Sequence, residues 1–142
     1  GPEPFTKDYT LEVLKNVLAK SGRATKVLIM DQRKIAGVGN IYADEALWYA
    51  KIHPETPGNS VPEKQMEDLY MGIIKALEQG IEDRGTSIDD YLDIYGKPGN
   101  HAKNLNVFRQ EGQPCSRCGT TIKKIRVGGR GTHFCSRCQI KL

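Results

Sequence analysis

Residues 31–52 read DQRKIAGVGNIYADEALWYAKI. The stretch has two parts. Ile35-Ala36-Gly37-Val38-Gly39 is a tight, glycine-punctuated turn, and from Asn40 onward the pattern is helical. Ile41, Ala43, Ala46, Leu47 and Ala50 form an apolar stripe close to helical spacing. Asn40 stands where an N-cap belongs, and Asp44 and Glu45 fall in the early turns, where the helix dipole favours carboxylates. Two glycines before the helix allow positive φ and close approach by another molecule. The free N–H groups at such a helix start form an anion site suited to phosphate. A capped helix in a plain helical hairpin accounts for the same residues.

Outward from this stretch the chain is punctuated by capping signals. Gly1-Pro2-Glu3-Pro4 opens extended, because a residue before proline is pushed out of the helical region. Thr10 to Ala19 predicts an amphipathic helix with Leu11, Leu14, Val17 and Leu18 on its apolar face. Thr10 is its N-cap and Ser21-Gly22 its stop. Thr25 to Gln32 predicts a second helix, more apolar than the first. His53 to Gly58 reads as a loop. Ser60-Val61-Pro62-Glu63 then reads as N-cap serine, first-turn proline and capping-box glutamate. The helix they start carries Met66, Leu69, Tyr70, Ile73, Ile74, Leu77 and Ile81 over about five turns. Four such helices can bury one shared core. Between Gly85 and Gly112 the pattern is irregular. A short helix is expected from Thr86 to Tyr91, and turn chemistry from Tyr95 to His101.

Cys115-Ser-Arg-Cys118 and Cys135-Ser-Arg-Cys138 are separated by sixteen residues. This spacing is a strong zinc signature, because each Cys-x-x-Cys turn presents two thiolates and two turns close a tetrahedron. Cys115, Cys118, Cys135 and Cys138 are the expected ligands of one structural Zn²⁺. A site with four protein sulfurs leaves no position for an activated water. Nothing resembles a signal peptide, which disfavours disulfides as the alternative. His133 is a fifth candidate ligand and, with four cysteines available, is expected to point away. Between the cysteine pairs, Ile122–Val127 and Arg130–Cys135 read as a β-hairpin with a Gly128-Gly129 turn. Ile125 and Val127 alternate with Lys124 and Arg126. The zinc would supply stability that so small a sheet cannot supply itself. Arg130 sits at the tip, where an arginine can clamp phosphate bidentately or merely add charge to a loop.

The 142 residues suffice for one ordinary domain or two small ones, and a 38% hydrophobic content allows a modest core. No apolar run reaches transmembrane length, so a soluble, intracellular protein without membrane contact is expected. The formal charge of +4 permits a nucleic-acid partner. A zinc ion held by four thiolates would lower it to about +2. Clustering matters more than the sum: seven of the 21 Lys and Arg lie between Arg117 and Lys141, a segment without Asp or Glu. Lys26 and Arg33 read as ordinary surface charges.

Residues 28–54, LIMDQRKIAGVGNIYADEALWYAKIHP, resemble the helix–two-turn–helix of the Fpg/Nei family of DNA glycosylases, the formamidopyrimidine-DNA glycosylase branch in particular. VGGRGTHFC, 127–135, resembles the family's zinc-finger signature, and GPEP its interdomain linker. The resemblance implies a mostly α fold with a small zinc-stabilised β-hairpin: a helix–two-turn–helix domain followed by a four-cysteine zinc finger. The corresponding division is a linker at 1–9, the DNA-binding helical domain at 10–95, a lesion-loop-like connector at 96–111 and the zinc finger at 112–142. It implies that Gly39, Asn40 and Arg130 contact DNA phosphates around a flipped nucleotide. The partner would be double-stranded DNA with a lesion or abasic site, bound by a monomer in the bacterial cytoplasm, at the nucleoid.

The resemblance does not extend to the family's catalytic half. Its nucleophile is the amine of an N-terminal proline followed by glutamate. Pro2-Glu3 imitates that pair, but Pro2 is acylated by Gly1 and has no free amine. No catalytic residue is therefore assigned, and the chain alone is expected to be inactive. The segment 84–108 resembles the family stretch that includes a loop over the damaged base, with two departures. Asn100-His101 replace residues that are usually aromatic. Phe108 replaces a phosphate-bonding tyrosine, keeping its packing and losing its donor. Two other readings remain: a stand-alone, non-enzymatic module for damaged or distorted DNA, and a zinc-ribbon protein–protein adaptor.

Overall fold

The computed structural model describes residues 1–85 and 105–142. Four helices come first: α1 (Leu11–Ala19), α2 (Thr25–Met30), α3 (Asn40–Ala50) and α4 (Glu63–Gly85). A two-stranded antiparallel sheet follows, β1 (Lys123–Val127) against β2 (Arg130–Phe134), with Val127 opposite Arg130 across the turn. The fold is thus mostly helical with one hairpin, as expected. The helix anticipated from Thr86 to Tyr91 and the turns at 95–101, Asn100 and His101 included, lie outside the described residues.

The helices enclose one core built from Leu14, Leu18, Leu28, Ile29, Leu47, Leu69 and Ile73, all fully buried. Each such side chain contributes about 1.5–3 kcal/mol through burial. The turn between α2 and α3 is part of this core, because Ile35 and Val38 are also fully buried. Around them the backbone turns twice. Lys34 and Ile35 donate to the Asp31 carbonyl, and the Gln32 side chain accepts from the Gly37 N–H at 2.7 Å and donates to the Val38 carbonyl at 3.2 Å. Gly37 has φ +90° and needs glycine for that reason. Gly39 has an extended φ of −92°, so its glycine is not demanded by the backbone.

Several expected boundaries moved. Thr10 caps α1, accepting from the Val13 N–H at 3.2 Å. Asn40 is not the N-cap of α3 but its first residue; Gly39 holds the cap position without a side-chain bond. The Asn40 amide is drawn instead to the hairpin. Ser60 does not cap α4, because it closes a short 3₁₀ turn at Gly58–Ser60. Glu63, freed from a capping box, accepts the Lys15 ammonium of α1 at 2.6 Å. α2 stops at Met30, two residues early, where Asp31 turns extended. Residues 1–9 lie along the helical unit: Ala36 donates to the Pro2 carbonyl, and buried Tyr9 stacks on Tyr70 at 4.7 Å.

Candidate metal centre and nucleic-acid interface

The four cysteine sulfurs lie within 4.8 Å of one another. The Cys115–Cys138, Cys118–Cys135 and Cys118–Cys138 separations are 3.9, 3.5 and 3.6 Å. Zn–S bonds of about 2.3 Å in a tetrahedron place sulfurs about 3.8 Å apart, so the donor set fits one structural zinc ion. Hydrogen bonds from Thr120 bring the Cys118 thiol down to about 6, whereas burial pushes Cys135 up to about 12. Cys115 is also pushed up by burial, but donors led by the Trp48 indole outweigh this and hold it below the usual thiol value. His133 points away from the sulfurs, as expected. Its Nδ1 lies 3.0 Å from Asp44 Oδ2.

α3 is the hub that joins the zinc unit to the helices. Ala43 through Leu47 are all buried, so the middle of this helix has no solvent face. Asp44 and Glu45 were expected to serve the helix dipole; they serve the interface instead. Asp44 Oδ2 accepts the His133 backbone N–H at 2.9 Å, and Asp44 Oδ1 pairs with Lys26 at 2.8 Å. Glu45 accepts four donors: the N–H groups of Asn106, Val107 and Phe108, and the Asn106 side-chain amide, at 2.8–3.0 Å. Burial pushes the Glu45 carboxyl above its ordinary value, and these donors oppose it. Phe108 is buried, with its ring edge-on to His133 at 5.0 Å. Gln139 bridges as well, accepting from the Cys135 N–H and donating to the Ile52 carbonyl.

Lys26 requires the largest correction. It is 1% exposed, not a surface charge. Its ammonium donates to the Gly131 carbonyl at 3.2 Å and to Thr132 Oγ1 at 2.7 Å, besides pairing with Asp44. Burial pushes its pKa below the usual lysine value against the pull of Asp44. A lysine can be buried in this way when hydrogen-bond acceptors and an opposite charge surround its ammonium. Arg33, by contrast, is the surface charge it was expected to be, 86% exposed and paired with Asp31 at 3.0 Å.

These bonds set the hairpin tip beside the start of α3. Asn40 Nδ2 donates to the Gly131 carbonyl at 3.1 Å, placing Asn40 next to Arg130, whose side chain is exposed. The first helical bond runs from Ala43 to Gly39, leaving the N–H groups of Asn40 and Ile41 without an intrahelical acceptor. A Cβ on Gly39 would meet nothing within 4 Å, so this corner is open to an approaching group. Gly39, Asn40 and Arg130 thus share one surface, underlain by the buried Lys26 charge. Sequence reasoning did not find Lys26, Asp44 and Glu45 as connectors. One signal was present: α3 carries only these two charges in eleven residues, and a helix apolar nearly all round is a buried helix.

A helical core, a buried hub helix and a docked four-cysteine hairpin define a helix–two-turn–helix protein with an attached zinc finger. The H2TH domain of formamidopyrimidine-DNA glycosylase matches residues 1–91, and the zinc finger found in FPG and IleRS matches residues 112–140. The chain belongs to the formamidopyrimidine-DNA glycosylase H2TH family. It is 44% identical over 140 residues to formamidopyrimidine-DNA glycosylase of Cytobacillus firmus, covering 99% of this chain and 51% of that protein. Among solved structures it is similar to Lactococcus lactis Fpg bound non-covalently to DNA containing an AP site: TM-score 0.83, 41% identity, 99% of this chain and 50% of that one. The Thermus thermophilus MutM (Fpg) protein gives TM-score 0.85 at 38% identity, covering all of this chain and 54% of that one. The chain therefore spans about half the length of the relatives it matches.

Proposed function

We propose that this chain is the DNA-binding half of a base-excision-repair glycosylase and AP lyase, one that removes oxidised purines such as 8-oxoguanine and formamidopyrimidines. Its own task is to grip the backbone of damaged double-stranded DNA as a monomer. The observation that supports this reading is the Asn40–Gly131 hydrogen bond, which joins the open start of α3 to the backbone of the hairpin tip that carries Arg130. The helix start offers backbone N–H groups to one phosphate, and Arg130 offers a bidentate fork to another. Two grips on neighbouring phosphates favour the kink that accompanies base flipping, and they carry little sequence information. The lesion is supported by the relatives, whose name is formamidopyrimidine-DNA glycosylase and one of which was solved with AP-site DNA. The bond-breaking chemistry belongs to a catalytic half with a free proline amine; Pro2, acylated by Gly1, does not supply one. The setting is the bacterial cytoplasm at the nucleoid. Among the described residues no helix is long and apolar enough to cross a membrane.

Binding of the zinc-loaded chain to a duplex with an abasic-site analogue, compared with the undamaged duplex at two salt concentrations, tests the reading. Preferential, salt-sensitive binding is expected. Arg130→Ala should weaken it and flatten the slope of log affinity against log salt by about one. Asn40→Ala should weaken it too, since it loosens the hairpin tip. Unchanged affinity in both variants would overturn the grip.

A further inference from the structure

Trp48 and Arg117 stand together at the zinc site, though they come from different units. Trp48 is on α3, half-buried, and its indole N–H donates to Cys115 Sγ at 3.4 Å. Arg117 lies between the first two cysteines and reaches across to the second pair: its Nε donates to Cys138 Sγ at 3.3 Å. The same guanidinium donates to the Trp48 carbonyl at 2.7 Å and stacks on the Trp48 ring at 3.8 Å. One side-chain pair thus bonds a sulfur from each Cys-x-x-Cys turn and fastens both to the helical core.

The chemistry of these contacts suits a metal thiolate site. Four thiolates around one Zn²⁺ carry a net charge of about −2, which donors to sulfur offset. An indole N–H is a donor only, and the sulfur is its acceptor here. The guanidinium adds a full positive charge beside Cys138 and gains from stacking on an electron-rich ring. Trp48 also packs against the small cluster of Val107, Cys115, Ile122 and Cys135, so ring packing alone is the competing explanation.

We propose that Trp48 and Arg117 are positioning residues in an outer shell of the zinc site, with α3 supplying a hydrogen bond to a ligand sulfur, so that zinc retention and docking of the hairpin unit reinforce each other. The zinc finger does not then hold its metal independently. Its affinity is set partly by a helix outside the finger, and by linkage the metal strengthens the contact with that helix.

Transfer of zinc from the full zinc-loaded chain to excess chelator, followed with a coloured indicator, measures the effect. Trp48→Phe keeps the ring packing and removes only the donor. Arg117→Met removes charge and fork, and Arg117→Lys restores the charge alone. Trp48→Phe and Arg117→Met are expected to release zinc about tenfold faster, as losses of such partners do, with Arg117→Lys in between. Release within about twofold of the parent in both would overturn the proposal. A second measurement needs no variant. Trp48 is the sole tryptophan, so the chain loaded with an NMR-active cadmium isotope has one indole N–H resonance. A scalar coupling from the metal through sulfur to that proton is expected, and its absence would show that the indole only packs.

Discussion

Two neighbouring carboxylates on α3 hold the zinc finger and the segment that leads into it. Asp44 faces Lys26 and His133, and Glu45 gathers the backbone at 106–108. Both carboxylates are buried, so losing either set of bonds leaves polar groups that water does not reach. Glu45→Gln turns an amide NH₂ toward backbone N–H groups and should cost about 2–4 kcal/mol, read from chemical denaturation of the zinc-loaded chain. A loss under about 0.5 kcal/mol, typical of a surface change, would show that these bonds add nothing. Lys26→Met keeps the length of the side chain but strands Asp44 as an uncompensated buried charge. A cost of about 3–5 kcal/mol is expected by the same measurement. The variant should also weaken binding to an abasic duplex, although the buried ammonium presents nothing to the DNA, because the Gly131 carbonyl loses one of its two ties.

The hairpin is positioned through its turn as well as its strands. Gly128 and Gly129 both have positive φ, +58° and +79°, the backbone of a type I′ turn. Their surroundings differ. A Cβ on Gly128 would lie 2.8 Å from Val27 Cγ2 of α2, whereas on Gly129 it would meet nothing within 4 Å. Gly129→Ala should therefore cost only the left-handed strain of about 1–2 kcal/mol. Gly128→Ala carries the same strain and also pushes the hairpin from α2, so Arg130 shifts relative to Asn40. Thermal melting should rank Gly128→Ala below Gly129→Ala, and DNA affinity should fall further for Gly128→Ala. Equal effects on both would mean that the Val27 contact does not seat the hairpin.

Among the described residues there are two apolar clusters of unequal size, one shared by the four helices and a small one around the cysteines with Trp48 at its edge. The larger should stand without metal, and the smaller should depend on it. Removing zinc with a chelator should melt the hairpin while α1–α4 keep most of their helical circular dichroism. The proposed preference for the abasic duplex should disappear in the same titration, since the hairpin tip that carries Arg130 loses its fixed place beside Asn40. Loss of the helical signal in step with the metal would show a single cooperative unit instead.

Much of this architecture is written in short-range patterns. Thr10 as a cap, the apolar stripes, the Gly128-Gly129 turn, the strand alternation and the cysteine spacing each involve residues within a few positions of one another. Local backbone chemistry is enough to read them. The zinc ligands belong to this group, because two tight turns with two thiolates each allow only one economical arrangement. The roles of the charges do not belong to it. Lys26 reads as a surface residue, yet its partner Thr132 is 106 positions away; Glu45 finds Val107 at a distance of 62. Whether a charge faces water or a buried acceptor depends on which segment packs above it, and no local pattern encodes that. Asn40 shows the same division: its place at the helix start is legible from its neighbours, while its bond to Gly131 exists only because the hairpin folds back onto α3.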